Sequence, residues 1–164
     1  MEQKQYIYIG IIPARYASTR FPGKPLVDIC GKPMIQRVYE QAQRVLDIVI
    51  VATDDERILD CVKGFGGQVV MTSPFHKCGT DRVEEAYEIY KQAQANPLPD
   101  NEVVVINIQG DEPFIQPAQI EAAMSCFPTE IATLVKPFTA EDTLEDLTNP
   151  NSPKVVFSEQ TGEA

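Results

Sequence analysis

Ile7-Tyr8-Ile9-Gly10-Ile11-Ile12 runs straight into Pro13-Ala14-Arg15-Tyr16-Ala17-Ser18-Thr19-Arg20-Phe21-Pro22-Gly23-Lys24-Pro25. The first six residues are a strand-length apolar run. The segment after them carries three cations, two aliphatic hydroxyls, a glycine and three prolines, and no carboxylate. In an open α/β sheet, ligands bind just beyond the carboxyl ends of the strands. A stiff, donor-rich loop in that position predicts an anion site, and a nucleotide triphosphate is its simplest guest.

Outward from this point, strand and helix signals alternate. Strand one covers about Ile7 to Pro13. Ile35, Val38, Ala42 and Val45 fall at helical spacing after Pro33. Ile48 to Ala52 is a continuous apolar run, as expected of a buried parallel strand. Thr53 or Asp54 is then expected to cap a helix with Ile58, Cys61, Val62 and Phe65 on its apolar face, ended by Gly66-Gly67. Gln68 to Met71 reads as a short strand, and Thr80 or Asp81 as the opening of a helix bearing Val83, Ala86, Tyr87 and Tyr90. Val103 to Gln109 is a further buried strand. Gly110-Asp111-Glu112-Pro113 turns the chain away from it, and Pro117 opens a helix with Ile120, Ala123, Met124 and Phe127 inward. Ile131 to Lys136 and Lys154 to Ser158 read as strands, and Glu141 to Leu147 as a short acidic helix. Such alternation predicts an α/β, Rossmann-like, mostly parallel sheet with helices on both faces. We expect one nucleotide-binding α/β domain over residues 1–164. The polar ending Glu159–Ala164 resembles a hairpin tip without its return strand, so the expectation includes a C-terminally incomplete domain.

Composition narrows the function. The 164 residues carry a net charge of −10, which disfavours duplex DNA or an anionic membrane as partner. Residues 1–44 hold seven basic and three acidic residues, +4, whereas residues 45–164 hold seven and 21, −14. A basic N-terminal segment in an acidic chain points to a local anion site. Lys4, Arg37 and Arg44 suit solvated helix faces; Arg15, Arg20 and Lys24 suit them poorly. No apolar run reaches membrane-spanning length, and the first residues lack a secretory pattern, so a cytoplasmic location is expected. Cys30, Cys61, Cys78 and Cys126 show no C-x-x-C spacing and His76 is the single histidine. A structural zinc site is therefore not expected. Cys61 and Cys126 fall on apolar helical positions and are expected in the core; Cys78 lies in a loop and could be reactive.

Several nucleotide devices are absent. No G-x-G-x-x-G follows strand one, no G-x-x-x-x-G-K-[ST] occurs, and G-x-S-x-G is missing. What remains is the cation loop and the acidic turn Gln109–Pro113. A carboxylate at a strand's carboxyl end suits Mg²⁺, which takes few protein carboxylates together with phosphate oxygens and water. Asp111 could equally be a turn or capping aspartate, and Lys24 an exposed loop lysine. Their joint appearance after neighbouring strands favours function.

Five further motifs accompany that loop: Gly31-Lys32-Pro33-Met34-Ile35, Val51-Ala52-Thr53-Asp54, Gly79-Thr80-Asp81-Arg82, Asn107-Ile108-Gln109-Gly110-Asp111-Glu112-Pro113, and Asn149-Pro150-Asn151 before Lys154-Val155-Val156. Together they resemble the 3-deoxy-manno-octulosonate cytidylyltransferase (CMP-Kdo synthetase) family, from about Tyr6 to the last residue. The resemblance implies a nucleotide-diphospho-sugar transferase fold and a reaction in which CTP and Kdo give CMP-Kdo and pyrophosphate with Mg²⁺, for lipopolysaccharide biosynthesis. It implies Arg15 and Lys24 on the triphosphate as catalytic cations, with Arg20 assisting or supporting the loop. Ser18, Thr19 and backbone donors from Ala14 onward would bind phosphate oxygens, and Asp111 the metal. Thr80, Arg82 and Gln109 would lie near cytosine and ribose; a helix cap, a helical salt bridge and a strand-end hydrogen bond are their alternative roles. A homodimer is implied for the intact protein. Cys78 stands where the family leads us to expect serine, and family members continue beyond Ala164. The 164-residue chain alone is therefore expected to be inactive or nearly so. A non-catalytic nucleotide-binding fragment and a sialic or pseudaminic acid cytidylyltransferase are the competing expectations.

Overall fold

Strand β1 (Ile7–Ala14) forms because its side chains are apolar on both faces, and the sheet supplies a layer for each. Ile9 and Ile11 join Ile50 and Ala52 beneath Val83 and Ala86. Ile12 and Ala14 join Val49 and Val51 on the opposite face, against Ile35, Val38, Ile58, Val62 and Ile120. Each fully buried Ile or Val contributes roughly 1.5–3 kcal/mol of burial. This two-sided core keeps β1 at the centre of the sheet.

The computed structural model describes residues 6–17, 21–129, 132–135, 137–150 and 155. The chain divides into two compact units, Met1–Ser125 and Cys126–Ala164. In the first, β1 is followed by a small hairpin, β2 (Asp28–Ile29) and β3 (Lys32–Pro33), and by α1 (Met34–Ala42). Next come β4 (Ile48–Thr53), α2 (Glu56–Gly64), β5 (Gln68–Met71), α3 (Gly79–Ala93), β6 (Val103–Asn107) and α4 (Pro117–Ser125). The second unit contains α5 (Leu144–Thr148). The four long strands pair in parallel in the order β5-β4-β1-β6. The chain thus steps outward from β1 through β4 to β5, then returns across β1 to β6. The strand order reverses between β1 and β6, which is where such a sheet opens its ligand crevice.

The expected α/β class holds, with α1, α2 and α4 on one face and α3 on the other. Several boundaries differ. The cap of α2 is Asp55, whose carboxylate accepts from Arg57 N at 3.0 Å, and not Thr53 or Asp54. The cap of α3 is Cys78, whose sulfur accepts from Asp81 N at 3.4 Å, and not Thr80 or Asp81. Helix α5 starts at Leu144 and not Glu141, because Thr143 and Asp146 form a reciprocal capping box. The strand expected at Ile131–Lys136 is not formed by its described residues, 132–135. Leu134 and Val135 are exposed there, and β-propensity holds a strand only where a face is covered. The strand expected at Lys154–Ser158 lies outside the described residues except for Val155, which is in no strand. Cys126 is exposed, not core. Cys61 is half-buried, and desolvation raises its thiol pKa.

The β2–β3 hairpin carries a local strain. Its central residues, Cys30 and Gly31, have φ of 50° and 81°, a two-residue turn with both positions left-handed. Such turns favour Asn-Gly, and most other L-residues are strained there. Cys30→Asn is expected to stabilise the protein by about 0.5–1 kcal/mol. A rise in the urea midpoint at constant slope checks this; an unchanged midpoint would deny the strain.

Candidate active-site cleft

The cleft is built by two chain segments that leave neighbouring strands side by side. Ala14 ends β1 buried, at 3% exposure, so Arg15 is the first residue beyond the sheet. The loop then closes on itself, with Gly23 N donating to Tyr16 O at 2.8 Å. Gly23 adopts φ 72°, and a Cβ there would lie 3.1 Å from the Tyr16 ring. Glycine is needed for the backbone conformation and for close approach. Lys24 follows at once, in a single 3₁₀ turn, Lys24–Leu26, continued by Pro25.

From the other strand, Ile108 N donates to Ile11 O at 2.9 Å, extending the β6 pairing past its end. The next turn sits directly on β1: a Cβ on Gly110 would be 2.8 Å from Pro13 O. Any side chain at Gly110 would push the turn away and carry Asp111 with it. As built, Lys24 Nζ donates to Asp111 Oδ2 at 2.7 Å. The two segments enclose an open cleft of about 270 Å³, lined by Pro13, Ala14, Arg15, Lys24, Gln109 and Asp111, with Gly79 from α3. Because α3 is 15 residues long, its positive end adds to the two cations there.

Of the residues expected at the site, Ala14, Arg15, Lys24, Gln109 and Asp111 are therefore brought together. Ser18, Thr19 and Arg20 lie outside the described residues. Thr80 is exposed in the first turn of α3, beside the lining residue Gly79 but not itself lining the cleft. Gln109 Nε2 donates to Asn107 Oδ1 at 3.2 Å. Arg82 sits differently: its side chain is fully buried. Its NH1 donates to Thr72 Oγ1 at 2.6 Å and its NH2 to Asp54 Oδ2 at 2.7 Å. Thr72 in turn donates to Thr53 O at 3.1 Å. The guanidinium therefore ties the ends of β4 and β5 to α3.

The loop between β5 and α3 has a second tether. Glu85 on α3 accepts from Ser73 N at 2.7 Å and pairs with His76. The His76 contact, opposed by desolvation, is the main cause of a Glu85 pKa below its ordinary value of 4.5. A carboxyl lowered in the folded state stabilises it fully above the unfolded value, and this is lost as pH falls through the folded one. Stability is thus expected to decline below about pH 4.5, with a shallower acid limb in Glu85→Gln; identical acid limbs in thermal scans would refute the tether.

Among the described residues no group of three or more His, Cys, Asp or Glu could hold a metal ion. Among the described residues, Asp111 is the one carboxylate lining the cleft, half-exposed at 54%. This set fits a divalent ion that takes most of its ligands from a bound triphosphate and water, as Mg²⁺ does, and not an all-protein cage. Sequence reasoning singled out Cys78 but not as the cap of α3, and it gave no role to the Tyr16 ring or to Arg57. No described helix is long and apolar enough to cross a membrane.

The reversal of strand order between β1 and β6 thus carries a cation-bearing loop on one side and a carboxylate on the other. Residues 9–164 match the family model described as cytidylyltransferase, and the chain belongs to that family. It is 61% identical over 155 residues to the 3-deoxy-manno-octulosonate cytidylyltransferase of Parabacteroides distasonis, covering 92% of this chain and 59% of that protein. The protein of the same name from Phocaeicola vulgatus is 61% identical over 152 residues, covering 91% of this chain and 57% of that one. The chain therefore spans somewhat under three-fifths of the length of these relatives. Among solved structures it resembles that of CMP:2-keto-3-deoxy-manno-octonic acid synthetase complexed with CTP, with a TM-score of 0.61 and 45% identity. That match covers 73% of this chain and 46% of the other.

Proposed function

We propose that this chain supplies the nucleotide-binding part, over residues 1–164, of an enzyme that transfers CMP from CTP to 3-deoxy-D-manno-octulosonate (Kdo). The products are CMP-Kdo and pyrophosphate, for lipopolysaccharide biosynthesis in the cytoplasm, and the working form is a homodimer. The observation that carries the reading is the Lys24–Asp111 contact across a cleft that Arg15 also lines. The named relatives at 61% identity supply the sugar acid.

In this reading the anomeric hydroxyl oxygen of Kdo bonds to the α-phosphorus of CTP. The bond from that phosphorus to the bridging oxygen breaks, pyrophosphate leaves with the electron pair, and the hydroxyl proton passes to solvent. Such a transfer asks for positioning and charge stabilisation more than covalent help. Arg15 and Lys24 would hold the triphosphate and offset charge gathering on the departing pyrophosphate. Ala14 N, Ser18, Thr19 and Arg20 would add donors along the loop. Asp111 would hold Mg²⁺ with phosphate oxygens, the ion supplying charge compensation. Thr80 and Gln109 would stand near ribose and cytosine, and Arg82 would support that wall from within.

Titration calorimetry on the chain tests the first half: Mg²⁺-dependent CTP binding is expected, tighter than that of ATP or GTP. Pyrophosphate release with CTP and Kdo, set against sialic acid, pseudaminic acid and unrelated sugar phosphates, tests the second. Equal turnover with unrelated sugar phosphates would refute the assignment.

A further inference from the structure

Tyr16 and Arg57 lie outside the cleft lining, yet their contacts converge on its cations. The Arg57 guanidinium stacks on the Tyr16 ring, 3.2 Å from the ring centroid. Asp55 fixes that guanidinium with two bonds, Nε to Oδ1 at 2.9 Å and NH2 to Oδ2 at 2.6 Å. Asp55 itself caps α2, and α2 is anchored by Ile58 and Val62, both fully buried. The Tyr16 ring also packs on the Gly23 backbone, so that a Cβ there would lie a tight 3.1 Å from it. The main chain repeats the link through Gly23 N to Tyr16 O. Arg15 precedes Tyr16 and Lys24 follows Gly23. Whatever holds Tyr16 against Gly23 thus sets the spacing of the two cations.

Resting on the nucleotide reading above, we infer that Tyr16 and Arg57 are positioning residues for triphosphate recognition. Arg57 carries the rigidity of α2 into the cation loop, and the Tyr16 ring transmits it to Lys24. Two long cations ordered only on binding would give up part of their attraction as lost conformational freedom. Held at a fixed spacing beforehand, they lose less. The device acts on the phosphate tail, so it discriminates CTP from CMP and leaves base and ribose contacts unaltered. A Tyr16–Arg57 pair that merely stabilised the fold would not alter that discrimination.

The test measures CTP and CMP affinity by calorimetry with Mg²⁺, beside the ligand-free melting temperature, for wild type, Tyr16→Phe, Tyr16→Leu, Arg57→Ala and Arg57→Gln. Tyr16→Leu is expected to weaken CTP about tenfold and CMP less than about twofold, through lost preorganisation. Arg57→Ala and Arg57→Gln should each weaken CTP by about threefold, the scale of an exposed cation–π contact. Tyr16→Phe keeps the ring face and should retain wild-type affinity. Arg57 is largely exposed, at 59%, so its variants stay folded even where Tyr16→Leu does not. A CTP-to-CMP affinity ratio unchanged in the Arg57 variants would overturn the inference, whatever happens to the melting temperature. Absence of CTP binding by the wild type would overturn the nucleotide reading itself, a distinct result.

Discussion

Asp54→Ala is expected to remove about 3–5 kcal/mol of folding stability. The reason is what it leaves behind. Arg82 is fully buried and Asp54 is only 16% exposed. Without the carboxylate, the guanidinium keeps one hydroxyl partner, Thr72. Its Nε already has no hydrogen-bond partner among the described residues. A buried, uncompensated charge is far more costly than a lost surface ion pair. The double variant Asp54→Ala/Arg82→Met removes the stranded charge and should be more stable than Asp54→Ala alone. Urea denaturation of the two single variants and the double variant reads the coupling directly. A loss below about 1 kcal/mol for Asp54→Ala would place the pair among surface contacts and refute its role in tying β4, β5 and α3 together.

The sequence made one half of this architecture visible and hid the other for physical reasons. Ile7 to Ile12 and Ile48 to Ala52 are legible because strands buried on both faces leave an unbroken apolar run. Gln68–Met71 and Pro117 are also where the pattern puts them. That the cation loop and Gln109–Pro113 serve one site was legible from their motifs. Their meeting through the Lys24–Asp111 contact depends on the strand order β4-β1-β6, which alternation alone does not give. Helix starts were misread by one to three residues, in two cases because several capping-competent side chains stand in a row, at Thr53-Asp54-Asp55 and at Cys78-Gly79-Thr80-Asp81. Only geometry selects which of them turns inward to the backbone. Asp54 is the instructive case: it looks like a cap in the sequence, and in the fold it is the counter-ion of a buried arginine 28 residues away. The Arg57–Tyr16 stack leaves no trace in sequence, because no periodicity links a helix's first turn to a loop more than one element earlier. The expected strand at Ile131–Lys136 shows the converse limit, an apolar stretch whose described residues form no strand.

Asp111→Asn and Lys24→Gln are expected to shift metal and nucleotide binding in opposite senses, because each residue is the other's partner before any ligand arrives. The ammonium and carboxylate are 2.7 Å apart, with side chains 36% and 54% exposed. A pair this exposed is worth at most about 1 kcal/mol, so ligands can part it. On the proposed reading, Mg²⁺ would have to compete with Lys24 for Asp111, and CTP with Asp111 for Lys24. Losing Lys24 should therefore raise the affinity of the nucleotide-free protein for Mn²⁺ by about fivefold, read from water-proton relaxation. The same variant should lower pyrophosphate release in the intact enzyme by about 10²–10³-fold, the scale of one lost charge-stabilising donor. Losing the Asp111 carboxylate frees Lys24, so metal-free CTP binding should tighten by about fivefold or less while the Mg²⁺ enhancement disappears. On the proposed reading MgCTP would satisfy both residues at once, which neither component does separately, so the two should bind cooperatively to the wild type and less cooperatively to either variant. Independent binding to the wild type would show that the Lys24–Asp111 contact does not gate the cleft.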